Sequence, residues 1–386
     1  MNGLQQLINQ LCPNGVEWKT LGEVCEMQRG TSLTKANSIE GEYPVISGGK
    51  EPAFYCNQYN REGETITIAG SGAGAGFVQY WNQKIFVNDA FSMKGSDNLS
   101  VRYLYYCLQN LQEQIYATKK GGGVPHVHIS DVKGFQIPLP PLAIQSRIVE
   151  ILDHFTNLTA NLTAELALRR KQFEHFREKM LCPNGVEWKT LGEVGTFFNG
   201  VTGKSKKDFE NGNAKFISYM NVFTNPKLNI DVNDTIQINE GEKQNTLQYG
   251  DAIFTTSSET PDESGMSAVL TTQSDEKLYL NSFCFGFRFN SLENINPDFY
   301  SYIFRSEPLR KQIVKCANGV TRYNISKESF AKVKIPVPPL AVQQSIVAKL
   351  DKFTALIQNI ENELALRQKQ YEYCREKLLS FPSPSL

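Results

Sequence analysis

Two glycine-rich stretches are the first places where this chain could handle a phosphate. "GSGAGAG" at Gly70 to Gly76 follows an apolar run, and "GVTGKSKK" at Gly200 to Lys207 contains a Gly-Lys-Ser. Backbone amides in such loops cradle phosphates, with a lysine and a hydroxyl completing the site. Neither stretch meets the pattern. The first runs on into "FVQYW" rather than a helix, so it predicts a glycine-rich β-hairpin, whose missing side chains could let a nucleic-acid backbone come close. The second has Phe198 where a phosphate loop needs its first glycine. Its lysines, Lys204, Lys206 and Lys207, read either as phosphate contacts or as a solvated loop. "PDES" from Pro261 lacks the downstream acid-x-Lys of a nuclease centre. No adenine-methylase Pro-Pro-aromatic motif or helicase signature is present. No Ser/His/Asp spacing stands out, although triads occur in several chain orders. The eight cysteines form no C-x-x-C pair and the four histidines complete no metal spacing. Reduced thiols, no metal and no cofactor in this chain are therefore expected.

Forty basic and forty acidic residues give a formal net charge of zero. That argues against a nonspecific nucleic-acid coat but permits a basic face balanced by an acidic rim. The start, "MNGLQQLINQLCPNG", has no basic segment followed by an apolar run, and no stretch approaches the ~20 apolar residues of a membrane helix. A cytoplasmic protein is the expectation.

The elements that must position any site are laid out as a repeat. "LCPNGVEWKTLGEV" occurs at Leu11 to Val24 and again, unchanged, at Leu181 to Val194. Segments beginning "IPLPPLAIQ" at Ile137 and "IPVPPLAVQ" at Ile335 align without a gap for some 45 residues. "GVPHVHISDVKGFQIPLPPL" matches "GVTRYNISKESFAKVKIPVPPL" with a small insertion. Such a period is the size of a domain, not of a solenoid unit. Ile144, Ile148, Ile151, Phe155, Leu158 and Leu162 alternate steps of four and three, a coiled-coil seam, and Leu166, Phe173 and Met180 extend it. Val342, Ile346, Leu350, Phe353, Leu356, Ile360, Leu364, Tyr371 and Leu378 repeat the pattern. Paired prolines open each helix and Pro183-Asn184-Gly185 closes the first. Rods of ~57 Å with matching stripes predict an antiparallel pair. Leu4, Leu7, Ile8 and Leu11 predict a helical stub packed near the end of the second rod.

Between the helices lie short apolar-alternating runs such as "YPVIS", "ETITIAG", "KIFVND", "DAIFTTS" and "LYLNSFCFGFRF", with short helices around Tyr103–Ala117 and Asp298–Lys315. The fold class expected is α+β: two mostly-β modules joined by two long antiparallel helices in a pseudo-twofold repeat. The bounds are 1–11 for the stub, 12–140 and 182–338 for the modules, 141–181 for the first helix, and 339–386 for the second with its tail. Trp18 and Trp188, in the shared block, read as core anchors.

Two diverged modules, near-identical helices, "EWKTLGEV" before each module and "PPLAIQ" or "PPLAVQ" after it resemble the specificity subunit of a type I restriction-modification enzyme over essentially the whole chain. One departure is that Ile144 and Val342 stand before the junction glutamines, where that family often has an acid. The resemblance implies two target-recognition domains, each reading half of a split, asymmetric double-stranded DNA target. The helices would set the spacer and dock two methylation subunits. Those partners would carry S-adenosylmethionine chemistry, and restriction subunits would carry ATP- and magnesium-dependent translocation and cleavage. This chain would be non-catalytic. Half-sites one helical turn apart, about 34–36 Å, suit two readers on a rigid support.

Base reading calls for polar side chains on loops. The candidates are Ser47, Lys50, Ser71, Lys119, Lys120, His126 and His128 in the first module. In the second they are Ser257, Ser258, Glu259, Arg322, Tyr323 and Asn324 with the lysine cluster; Arg322 suits guanine and Asn324 adenine. A coiled-coil tether with two β-rich binding modules, or a stand-alone DNA-modifying enzyme, are the competing readings. Scaffold duty does not require fourteen identical residues, so recombination between the repeats is the explanation offered. Sequencing this locus across isolates should find the shared block constant and the module interiors exchanged; invariant modules would refute it.

Overall fold

The computed structural model describes residues 2–182 and 185–382; Pro183 and Asn184, the helix stop read from the sequence, lie outside the described residues. The chain divides into two compact units, Met1–Ala164 with Glu361–Leu386, and Glu165–Ile360. Each unit contains one module, the start of one long helix and the end of the other.

The long helices span Leu142–Leu181 and Leu340–Leu379. Each begins directly after its proline pair, because Pro141 and Pro339 cannot donate but their carbonyls accept the first helical N–H bonds. In the first unit Ile144, Ile148 and Leu152 share a core with Leu378, Leu379 and Phe381. In the second, Ile346, Val347 and Leu350 share a core with Leu181, and Phe176 stacks on Phe353 at 5.7 Å. The start of one helix thus meets the end of the other within each unit, as an antiparallel pair must. The seam differs from the expected one. Leu152 is fully buried rather than Ile151, while Val342 and Leu356 are 39% and 40% exposed. Steps of four at Ile144, Ile148 and Leu152 face the module core, so the module as well as the partner helix dictates which face is buried.

Each module carries a four-stranded antiparallel sheet. The orders are Cys25–Arg29, Ala90–Gly95, Glu64–Ala69, Val78–Asn82 and, in the second unit, Gly195–Asn199, Cys284–Phe289, Ala252–Thr255, Ser267–Val269. One three-stranded sheet accompanies the first and two accompany the second. The run "LYLNSFCFGFRF" is two strands, Leu278–Leu280 and Cys284–Phe289, broken by a turn, and "AKFISYM" ends in a helix, Tyr219–Thr224.

The shared block is a strap. Trp18–Thr20 pairs antiparallel with Gln136–Pro138, and Trp188–Thr190 with Lys334–Pro336. The next four residues form a helical turn whose Glu23 or Glu193 accepts hydrogen bonds from the backbone and hydroxyl of Thr20 or Thr190. Leu21 N–H donates to Phe135 O and Leu191 N–H to Val333 O. Next to each strap a fully buried glutamine joins helix to module. Gln145 accepts from Ser100 N–H (2.9 Å) and donates to the carbonyls of Asn98 and Pro140 (both 2.8 Å). Gln343 repeats this with Asn296 N–H, Asn294 O and Pro338 O at 2.7–2.9 Å.

Identical sequence does not give identical burial. Trp18 packs on the first core, covered with Leu4, Leu7 and Phe381 from the N-terminal helix (Asn2–Leu11) and the tail. Trp188 is 38% exposed, so it is not the core anchor its sequence suggests. In the second unit the end of the long helix Leu142–Leu181 stands where the N-terminal helix stands in the first; its Leu181, Phe173 and Met180 pack on the second core, and Trp188 stays exposed.

Replacing Gln145 with leucine leaves the Ser100 amide and two carbonyls unpaired and dry, a cost of about 2–4 kcal/mol. Hydrogen exchange should show lost protection at Ser100 and its neighbours while the amide of Asn296 keeps its own; Gln343→Leu should give the reverse.

Candidate nucleic-acid interface

In the first unit the strand Glu64–Ala69 turns through Gly70–Gly76 into the next strand, a glycine-rich hairpin. Ser71 Oγ hydrogen-bonds the Asp89 carboxylate. Ser71 and Lys120 both pair in β-bridges with His126, whose ring lies 6.0 Å from His128 in a stacked arrangement. Ser47 accepts from Asn88 Nδ2 (2.9 Å). Its neighbour Gly48 lies so close to the hairpin that a Cβ would sit 2.0 Å from Ser71 O, so a glycine is needed there. A cleft of ≈ 210 Å³ is lined by Gly70, Asp89, His126, His128 and Arg29. Seven sequence candidates are thus divided. Ser71, His126 and His128 gather here. Ser47 lies beside Gly48 with its hydroxyl engaged by Asn88 and does not line the cleft. Lys50 and Lys119 lie over the rings of Phe77 and Tyr116, and Lys120 is ion-paired with Asp131, holding that carboxyl below its usual range. Arg29 and Asp89 were missed. Arg29 stands in a polar stretch and Asp89 beside Asn88, with no local pattern to single out either.

In the second unit a cleft of ≈ 910 Å³ brings together Glu259, Glu263, Arg322 and Tyr323 with Tyr219, Met220, Phe283 and Val320. Ser257 and Ser258 line it but are 6% and 8% exposed. Ser257 Oγ accepts from Arg322 Nε (3.2 Å), and Ser258 Oγ is engaged with Glu263. Both are nearly buried with their hydroxyls engaged by neighbouring cleft side chains, so little of either is open to a ligand. Asn324 pairs through its backbone with Ser257 and Asn318 and does not line the cleft. Lys204 is also reassigned. Its side chain is 5% exposed, donates to Gln237 O and is paired at 2.6 Å with Glu242, whose carboxyl this pairing holds down at about 2. Its charge is spent within the module. Lys206 and Lys207 are exposed on a short 3-10 turn and do not line the cleft.

The two faces are built at equivalent backbone positions. Gly121 and Gly319 have positive φ, and a Cβ on either would strike the carbonyl three residues on. His128 and Ser326 both precede the first residue of a helical turn, Ile129–Val132 and Lys327–Phe330. The same 198-residue offset relates Gln145 to Gln343. No insertion separates the repeats over this stretch, contrary to the letter alignment: His126 corresponds to Asn324 and Val124 to Arg322. Gly70 N–H donates to Asp89 O as Thr256 N–H does to Phe283 O, so Asp89 corresponds to Phe283.

Residues behind the faces were also invisible in the sequence. Gln112 Nε2 donates to Gly76 O at 2.8 Å, and Arg310 Nη1 donates to Gly265 O at 2.8 Å, clamping the hairpin end in each unit. Arg310 also binds the carbonyls of Asp262 and Ser264, and Arg305 those of Ser267, Val222 and Phe223. Burial, aided by the nearby Arg310 charge, pushes Arg305 down to about 10, so both guanidiniums stay charged at neutral pH. Together they hold the two walls of the larger cleft.

Burial pushes the thiols of Cys25, Cys107 and Cys284 up to about 12, far from a reactive thiolate. Among the described residues no group of three or more His, Cys, Asp and Glu could hold a metal, and no helix is long and apolar enough to cross a membrane.

Two β-rich modules with like frames and unlike polar faces, each locked to a long helix pair, define a two-headed recognition protein. The chain belongs to the type I restriction modification DNA specificity domain family, which it matches twice, over residues 13–168 and 183–366. It is similar to the EcoR124I/EcoR124II type I restriction enzyme specificity subunit of Escherichia coli, 32% identical over 96% of this chain and 95% of that one. It is 24% identical to the MjaVIII specificity subunit of Methanocaldococcus jannaschii, over 89% of this chain and 85% of the relative. The type I S subunit from M. genitalium shares the fold, with a TM-score of 0.61 at 17% identity over 95% of this chain and 96% of that one. A chain from a study of complex assembly in the type I R-M system gives 0.59 at 20%, over 95% of this chain and 98% of that one.

Arg310→Ala should free the three carbonyls it binds and loosen residues 260–265, raising their hydrogen exchange by an opening free energy of about 1–3 kcal/mol. Arg310→Gln should keep the bond to Gly265, as Gln112 keeps its own to Gly76, and lie closer to wild type in the same measurement.

Proposed function

We propose that the chain is the non-catalytic DNA-reading subunit of a type I restriction-modification complex in the cytoplasm. Each module reads one half of a split, asymmetric double-stranded target, and the long helices set the unread spacer and dock two methylation subunits. Methyl transfer from S-adenosylmethionine, and the ATP- and magnesium-dependent work of restriction subunits, belong to those partners. The observation that carries this reading is the pair of faces on one backbone frame: Asp89 and Val124 in the first unit stand where Phe283 and Arg322 stand in the second, and His126, which lines the first cleft, stands where Asn324 lies outside the second. Two like frames with unlike side chains suit two different half-sites, since base identity is read by side-chain donors, acceptors and apolar contacts. In the second cleft Arg322 supplies donors for a guanine edge, and the Glu259 carboxylate accepts from an exocyclic amine. Among the sequence candidates Arg322, Glu259, Tyr323, Ser71, His126 and His128 are retained as reading groups, with Arg29 and Asp89 added. Lys206 and Lys207 are kept for phosphate oxygens, and Lys50, Lys119 and Lys120, expected from the sequence to read bases, are assigned to phosphate oxygens with them.

Expressing the chain with its methylation subunit in a host free of DNA methylation, then mapping modified adenines, tests this. A single split, asymmetric motif modified only when the chain is present is the expected result. An unmodified genome with both proteins soluble and associated would refute it and favour a tether with two binding modules.

A further inference from the structure

Around the cleft of the second unit three large apolar side chains stand in solvent. Met220, Phe283 and Val320 are 57%, 56% and 88% exposed and come from three distant stretches of chain, yet line one opening. Scattered exposed apolar residues need no explanation, but convergence on one site does. Phe283 is also displayed on an ordered turn. Its N–H donates to Asn281 Oδ1 at 2.7 Å, and its carbonyl accepts from both the N–H (2.9 Å) and the hydroxyl (2.7 Å) of Thr256. The equivalent residue of the first unit is Asp89, which hydrogen-bonds Ser71. One frame position is therefore acidic in one reader and aromatic in the other.

The charges of the cleft narrow the ligand. Arg322 is accompanied by Glu259 and Glu263, and two carboxylates beside one guanidinium repel a phosphate. Such a set suits base edges, where guanine offers acceptors, cytosine and adenine offer amines, and only thymine offers a major-groove methyl.

We propose that the second unit reads thymine through its 5-methyl group, which Phe283 and Met220 desolvate beside the base bound by Arg322. This rests on the proposed reading of split DNA targets. The first unit, with Asp89 at the matching position, has no such contact there.

The test uses the complete complex with its methylation subunits and duplexes carrying the mapped motif, each thymine replaced in turn by deoxyuridine. That exchange removes the methyl and leaves pairing and the minor groove unchanged. At one or more thymines of a single half-site, affinity should fall about fourfold, the size expected for one buried methyl group. Phe283→Ala or Met220→Ala, both at exposed positions that leave the core intact, should abolish the difference between thymine and deoxyuridine there. Selective binding with no thymine sensitive, a motif lacking thymine, or sensitivity unchanged in both variants would overturn the proposal alone. Minor-groove insertion of Phe283 is one route to the first of these outcomes. Absence of any sequence-selective binding would overturn the parent reading together with this one.

Discussion

A side-chain amide sealed from water must find partners for both its ends, and two such amides govern this fold. Gln145 and Gln343 sit one turn into the long helices, with no exposure, where an unpaired donor or acceptor would cost a large share of a domain's stability. Each meets the requirement only if the preceding proline carbonyl and the start of the module's helix converge on it. Helix and module are thereby held at one geometry. Nearby, Tyr103 and Tyr300 donate to the carbonyls of Pro138 and Pro336 at the same 3.1 Å, and the shared strap pairs with the same three-residue strand.

With the junction held, the loops above it can change their side chains without moving the frame. Gln112 and Arg310 do the same work on the hairpin end with different chemistry. The aspartate pair shows the same freedom. Asp153 takes hydrogen bonds from Tyr106 and Arg102, both on the helix Val101–Asn110, while Asp351 takes them from Tyr302 on the helix Pro297–Ile303 and from Lys227, which lies outside that helix. What is preserved is an acceptor on the long helix facing a phenol and a cation, not a residue-by-residue contact.

The exposed Trp188 and the buried Lys204 show where local reading fails. Trp188 lies in a block identical to that of the half-buried Trp18, so nothing within the block distinguishes them; what differs is the segment before each block, a short helix Asn2–Leu11 in one case and the end of the long helix Leu142–Leu181 in the other. Lys204 looks like a loop cation because Gly203 and Ser205 flank it, but its partner Glu242 is 38 residues away. The insertion suggested by matching letters dissolves once positive-φ glycines and helix starts are aligned, since backbone geometry constrains register more strongly than two coincident residues.

The sequence by itself determined the repeat, the α+β class, the two long helices with their proline starts and the family. All of these are written in periodicity, punctuation and local identity, which are short-range along the chain. Tertiary structure alone decided which polar residues face a cleft, which are spent inside the module, and where Arg29, Asp89, Phe283, Arg305 and Arg310 stand. A reading face is assembled from segments tens of residues apart, and the availability of each charge depends on partners that only folding brings near.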